Sequence, residues 1–459
     1  MTSPWTGDAC SLIDAYRAKE RSPVEEVDAA LAAIASSELN AFTHVDGDAA
    51  RAAAASADVA LPFGGLPVAV KELEPVAGWP AEEASLAFKG ETWDYTSTQV
   101  ERLRTGGAVL VGQTTASEFG GLGISVTKLH GVTRNPWDPT RTTGGSSAGS
   151  SAAVAGGLVP IATGGDGGGS IRKPAAYCGL LGMKGTAGRI PRGPKVTIGP
   201  MTVVVGCQAR SARDVARWYD VCGGYDGHDP YSLPAIEGWE RDLGSHDLRG
   251  MSAVIAPTLG IGAVSAAVEA RIREHGEMLA KDAGLRLVDV PVEWPAIGME
   301  WALSNLVVLR EELGARWPEC QDELTLEVAF GLKMAEGMYD ILVAGKGEAK
   351  RREMNEAVAA TFDEVDFVIA ATNPTVAFGA DVALPSTVDG VNVGAENEGV
   401  LTQPANIVGN PAISIPVAPV DGLPVGMQVI GRHHQDALLL DLARIVEHER
   451  PWPLVAPAT

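Results

Sequence analysis

The stretch Leu158–Gly179, "LVPIATGGDGGGSIRKPAAYCG", decides how the rest of the chain is read. It opens on an apolar run of strand length, "LVPIATG", and passes into a loop in which glycines surround Asp166 ahead of Ser170. The segment after Ser170 can turn into a helix, since proline is tolerated in a first helical turn and Pro174 falls there. Strand, glycine loop and helix in succession are the unit from which α/β proteins are built. Ser170 then sits where free backbone N–H groups converge, and the small residues around it let backbone approach backbone or ligand. A nest of N–H donors stabilises negative charge, either a phosphate or the oxyanion that forms when a carbonyl is attacked. The stretch contains neither G-x-x-x-x-G-K-[ST] nor a G-x-G-x-x-G after its strand, which argues against a nucleotide phosphate.

On either side of this stretch the same grammar recurs. "GLPVAVKE", Gly65–Glu72, reads as a short buried strand ending in a lysine, and "STQVERLRTGGAVLVGQTT", Ser97–Thr115, as helix, glycine stop and strand. Ser22 as cap, Pro23 at the first helical position and acidic residues in the first turn predict a surface helix in "SPVEEVDAALAAI". Later come "MSAVIAP" as strand, "AAVEARIREHGEMLAKDAG" as a helix with Val268, Ile272 and Leu279 on one face and Gly284 as stop, and "LRLVDVPV" as strand. "VDFVIAAT" is a further apolar strand, and "AISIPVAPVDGLPVGMQVIG" carries two strand-like runs around Asp421-Gly422, a hairpin signal. The expectation is an α/β fold with a mixed sheet. No repeat, low-complexity tract or Gly/Ser linker divides the chain, so one large domain over residues 1–459 is expected. Residues 230–350, rich in Trp, Met and Leu, form its variable, substrate-shaping portion.

Bulk composition removes several function classes. The chain is 46% hydrophobic and 20% charged, which suits a large core and excludes disorder. Its formal net charge of -22 is unsuited to gripping nucleic acid or an anionic membrane, both of which call for clustered Lys and Arg. The five cysteines are scattered, without a C-x-x-C pair, and read as reduced thiols. The N-terminus lacks a basic segment followed by an apolar one, and no apolar run reaches membrane-spanning length, so a cytoplasmic protein is expected.

A second serine cluster, "GGSSAGSS", contains "GSSAG", Gly145–Gly149, which fits the G-x-S-x-G nucleophile elbow with Ser147 at its centre. An elbow needs a strand before it, whereas "NPWDPTRTT" reads as a proline-broken loop. His228, His275 and His433 carry no local context that nominates a base for a serine. Lys71 is the alternative: burial penalises the charged amine and lets it act as a general base near neutral pH. The competing reading is a lysine that carries its ammonium out to solvent from a strand end. Asp166 and Arg172 read equally as a structural ion pair or as a working part of the site. Lys173 reads as a surface charge, Cys178 as buried core, and "WPAIGMEWALSNLVVL", Trp294–Leu309, as a core helix.

Three motifs together carry a resemblance: "GGSSAGSSAAVAGGLVPIATGGDGGGSIRKPAAYCGLLGMKG", "GLPVAVKE", and "LTQPANIVGNPAISIPV" followed by "GLPVGMQVIG". They resemble the amidase signature family over most of the chain. The resemblance implies that family's fold, a central mixed sheet covered by helices on both faces. It implies Ser170 as nucleophile, Ser146 as bridging serine after a cis peptide bond, and Lys71 as base. The backbone N–H groups of Gly167, Gly168, Gly169 and Ser170 would form the oxyanion hole, supported by Ser147, Asp166 and Arg172. No metal or cofactor is implied. The expected reaction is hydrolysis of the C–N bond of a small neutral amide, anilide or carbamate through an acyl-enzyme. The alternatives are a glutamine-hydrolysing subunit of a tRNA-dependent amidotransferase and a hydrolase of nylon-type cyclic amides. The expected partner is the small-molecule substrate, without nucleic acid or membrane, and a homodimer is allowed. Two positions depart from the family's usual pattern: Glu72 stands where Asp is usual, and "GGDGGGSIR" replaces the commoner "GTDTGGSIR". The second variant is similar to the nylon-type hydrolases.

Overall fold

The runs read as strands join one eleven-stranded sheet in the computed structural model, which describes residues 3–197 and 202–457. Across the sheet the strands run Phe42–Val45, Val109–Thr114, Pro67–Lys71, Ile161–Asp166, Val204–Ala209, Leu181–Lys184, Ala412–Val420, Leu423–Gly431, Phe367–Ala371, Ser252–Ile255 and Arg286–Leu287. Parallel pairs toward the two ends (Val68 opposite Ile161, Val254 opposite Val368) flank a central run of antiparallel ones, so the sheet is mixed. The Asp421-Gly422 hairpin sits in the middle, and both turn residues take positive φ (51° and 77°) as a two-residue turn requires. Its first strand pairs with Leu181–Lys184 and its second with Phe367–Ala371, so it joins the two halves of the sheet.

The strands are apolar throughout because both faces are covered, and successive side chains alternate between them. Phe367, Ile369 and Ala371 enter one core with Ile13, Leu103, Trp218, Ile272 and Leu442 from the helices Ala9–Arg17, Thr98–Thr105, Ala212–Cys222, Ala266–Ala283 and Asp436–Glu449. Val368 and Ala370 point the other way, into a core with Met354, Val358 and Phe362 of the helix Ile341–Glu364. Farther along that face, Ala69 and Ala162 pack against Val27 and Leu31 of the helix Pro23–Ser36 and Ala152–Ala155 of the helix Ala148–Ala155. Ser22 and Glu25 form a full capping box at the start of Pro23–Ser36. The chain is thus a single large α/β domain with helices on both faces of its sheet. Among the described residues no helix is long and apolar enough to cross a membrane.

Two expectations change. "LRLVDVPV" contributes only Arg286–Leu287, both exposed, because it lies at the sheet edge and pairs on one side. "NPWDPTRTT" is not a loop: Arg134–Asn135 pairs antiparallel with Asp138–Thr142 outside the main sheet. Pro139 is tolerated there because both strands of a two-stranded ribbon are edges. Within residues 230–350, Ser252–Ile255 and the helix Ala266–Ala283 belong to the sheet and its core. Only the later helices bury a separate small core, around Leu309, Trp317, Leu324 and Leu332. Within Trp294–Leu309, Trp294, Leu303 and Leu309 are buried while Met299, Val307 and Val308 are exposed; the side chain of Trp301 lies outside the described set.

Candidate active site

Lys71 and Asp166 are the last residues of adjacent parallel strands, so both lie at the same edge of the sheet, where α/β folds open their ligand crevices. The Lys71 amide donates to Thr163 Oγ1 (2.9 Å), which ties the two strand ends together. Its Nζ donates to Ser146 Oγ at 2.7 Å, to Ser147 Oγ at 3.1 Å and to Gly165 O at 3.4 Å. Three donors thus meet three acceptors on a side chain only 4% exposed. Burial brings the amine down to about 7 against the opposing pull of Asp166, Glu74 and Glu72. The lysine does not reach bulk solvent.

Ser146 follows a cis peptide bond from Gly145 and precedes the helix Ala148–Ala155, whose N-cap is Ser147. The Ser147 amide donates to Ser170 O (3.3 Å), which draws the serine cluster against the glycine loop. Ser170 is more exposed than Ser146 (9% against 2%), and among the described residues its hydroxyl has no hydrogen-bond partner. Lys71, Ser146, Ser147 and Ser170 therefore share one site, with the contact between lysine and Ser146 made and that between the two serines open.

Asp166 organises the loop. Its carboxylate accepts from the amides of Gly169 (2.7 Å) and Ile171 (3.2 Å), from Arg172 Nε and Nη2 (3.0 Å each) and from Asn406 Nδ2 (2.9 Å). Burial alone would raise this carboxyl, but the Arg172 charge and the hydrogen bonds of Arg172 and Asn406 outweigh it and hold the group well below the usual range. The expectation for Gly169 is corrected here: its N–H turns inward to Asp166 and is not offered to the cleft. Its role is steric, since φ is +113° and a Cβ would come within 2.3 Å of Thr402 Oγ1. The amides of Gly167, Gly168 and Ser170 donate to no acceptor among the described residues.

Arg172, fully buried, also donates to Gln428 Oε1 (2.6 Å), Asn406 Oδ1 (2.6 Å) and Thr402 O (2.9 Å). The sequence reading missed Thr402, Asn406 and Gln428 individually, although all three lie in the tail motifs quoted above. Glu72 is buried, accepts from the Ala116 amide (2.6 Å) and meets His130 Nε2 at 2.8 Å, a pairing that no local pattern announces. Lys173 is corrected as well: it is 6% exposed, its side chain packed beside Gly123 and Gly169. Cys178 is buried, as expected for core. Among the described residues no His, Cys, Asp and Glu side chains cluster as metal ligands would.

Such an arrangement offers an amine that can be neutral near pH 7, a hydroxyl in contact with it, a second hydroxyl open to the cleft and free N–H donors beside that hydroxyl. Chemically this suits attack on a carbonyl.

The family model described as Amidase matches residues 25–440. A glutamyl-tRNA(Gln) amidotransferase subunit from Chloroflexus aurantiacus is 32% identical over 478 residues, covering 96% of each chain. An acylamidase from Rhodococcus erythropolis is 30% identical and covers 86% of this chain and 84% of its own. Among solved structures, a bacterial aryl acylamidase of the amidase signature family superposes with a TM-score of 0.90 at 25% identity, covering 97% of both chains. A 6-aminohexanoate cyclic dimer hydrolase complexed with substrate superposes with a TM-score of 0.86 at 26% identity, covering 98% of both chains.

Proposed function

The chain belongs to the amidase signature family and hydrolyses C–N amide bonds, and we propose that it cleaves a small neutral amide, anilide or carbamate through an acyl-enzyme on Ser170. The observation that carries this reading is the buried Lys71 amine, brought down to about 7 and 2.7 Å from Ser146 Oγ. Neutral Lys71 takes the proton of Ser146 as Ser146 takes that of Ser170, whose hydroxyl, without a partner among the described residues, swings toward Ser146 as the substrate seats. The Ser170 oxygen then attacks the carbonyl carbon. The amides of Gly167, Gly168 and Ser170 hold the oxyanion, and losing one such donor costs about 3–4 kcal/mol of barrier. Lys71 and Ser146 return the proton to the leaving amine, and water releases the acid by the same route. Ser147 and the pair of Asp166 and Arg172 act as supports, fixing the lysine and the loop.

Likeness to the aryl acylamidase supports an anilide or acyl amide as substrate. The amidotransferase relatives favour a second reading, glutamine hydrolysis stimulated by partner subunits.

Labelling with a fluorophosphonate followed by peptide mapping tests the assignment of Ser170. A label on Ser147 would instead support an elbow-type esterase, and no label together with no turnover of anilides, primary amides, lactams or carbamates would overturn the proposal. Glutamine hydrolysis raised by an amidotransferase partner, with the other amides untouched, would favour the second reading.

A further inference from the structure

Two buried charged side chains near Ser170, Lys173 and Glu398, each keep a polar atom without a hydrogen-bond partner among the described residues. Glu398, 4% exposed, accepts from Tyr177 Oη through Oε1 at 2.6 Å, while its buried Oε2 has no hydrogen-bond partner. Lys173 donates from Nζ to no acceptor among the described residues, and no carboxylate there lies within 4 Å of it. The two feel each other without touching. Burial pulls the Lys173 amine down while Glu398 holds it up, and burial pushes the Glu398 carboxyl up while Lys173 and Tyr177 hold it down. A buried charge without a partner is costly, so a gap between two opposite ones calls for a bridging group.

The gap lies beside the proposed nucleophile. The Lys173 amide bonds to Gly169 O (2.7 Å), and its side chain runs past Gly169, the residue before Ser170. The segment Gly120–Gly123 spans the distance between the two places. A Cβ at Gly120 would lie 3.4 Å from Ser146 Oγ, and one at Gly123 would lie 2.5 Å from Lys173 Nζ. Three residues of chain cover at most about 10 Å, roughly the length of a small substrate. Sequence reading placed Lys173 on the surface because its charge is visible there and its burial is not.

We propose that Lys173 and Glu398 form the polar end of the substrate pocket and bind a substrate group that presents one hydrogen-bond acceptor and one donor side by side, as a second carboxamide does. The acceptor oxygen takes the Lys173 ammonium and the N–H donates to Glu398 Oε2. This deepens the hydrolase reading and rests on it.

The test uses two isosteric pairs of anilides, one varied on the acyl side and one on the amine side. The first compares the anilide of succinamic acid with its isostere carrying isopropyl in place of carboxamide; the second compares acetanilides bearing a para carboxamide or a para isopropyl group. Release of the aromatic amine is measured for wild type, Lys173→Met and Glu398→Gln. In Glu398→Gln the Tyr177 hydrogen bond retains the amide oxygen and turns the NH2 toward the gap. In one of the pairs the wild type should favour the carboxamide in kcat/KM by about tenfold or more, the discrimination expected of buried hydrogen-bonding groups. Each variant should bring that ratio to within about threefold, mainly through KM.

A ratio near one in the wild type, or one that both variants retain, would overturn the assignment. So would a preference for the matching carboxylate over the carboxamide. A purely structural role for the pair would lower both members of a pair alike and leave the ratio in place. Should Lys173→Met fail to fold, Glu398→Gln alone decides. If the wild type releases amine from no member and Ser170 takes no label, the hydrolase reading itself has failed and this inference falls with it.

Discussion

Two lysines end inner strands of the same sheet, Lys71 on Pro67–Lys71 and Lys184 on Leu181–Lys184. Both are buried, and burial brings both amines down to about 7, for Lys184 with the help of the Arg172 charge. Two successive antiparallel pairings relate their strands, so both lysines end at the same sheet edge. They differ in what they touch. Lys71 bonds two serine hydroxyls, whereas among the described residues Lys184 bonds only the carbonyl of Gly185, at 3.0 Å. A hydroxyl can surrender a proton and a carbonyl cannot. A depressed amine is therefore a general base only where a transferable proton lies beside it, and a low pKa alone would have nominated both.

Removing each amine in turn is the most direct challenge to this contrast. Lys71→Met should lower kcat/KM roughly a thousandfold while the protein stays folded, in keeping with the loss of a general base. Amine release and thermal unfolding measured side by side check this, and a loss below tenfold would end the assignment.

Asp166 faces both lysines and raises both. Asp166→Asn would leave the Arg172 guanidinium buried without its carboxylate, costing about 3–5 kcal/mol in urea unfolding. The same change should move the acid limb of activity to lower pH, because the charge that supports protonated Lys71 is gone.

The pH profile separates the two lysines further. With Lys71 required neutral and its amine near 7, kcat/KM should fall about tenfold per pH unit below that value. The limb should persist in His130→Gln; its disappearance would hand the role of base to the histidine.

The smallest effect belongs to Lys184→Met, which should keep turnover within about threefold, since the methionine fills a similar volume. Its signature is in stability. Lys184 lies at about 7 in the folded protein against an ordinary 10.5, so the unfolded chain binds more protons between those values and wild-type stability rises with pH across that window. Lys184→Met lacks this rise. Any advantage in Tm that it holds near pH 7 should shrink as pH approaches 10.

Much of this was legible in the chain itself because the rules involved are local. Ser22, Pro23 and Glu25 announce a helix start within four residues, and Asp421-Gly422 between apolar runs announces a hairpin. Lys71 was legible as an amine at the end of an apolar strand, and the family resemblance supplied its serine partners. Contacts across long separations left no such trace. Tyr177 reaches Glu398 across 221 residues and Arg172 reaches Gln428 across 256. The Gly169 amide was misread for a related reason: a glycine loop shows that N–H groups are free to turn, but only the position of the Asp166 carboxylate says which one turns inward.

The central hairpin has a consequence for synthesis. A nascent chain that has left the ribosome as far as residue 400 already carries Lys71, Ser146 and Ser170, yet the strands Leu181–Lys184 and Phe367–Ala371 still show bare flanks to each other. Only when Ala412–Val420 and Leu423–Gly431 slot between them do those flanks disappear, and Gln428 arrives on the second of these strands to clasp Arg172. Chains released short of this keystone would expose two open sheet edges and stick to one another, so a hairpin translated long after the reacting groups is the one that locks their half of the sheet in place.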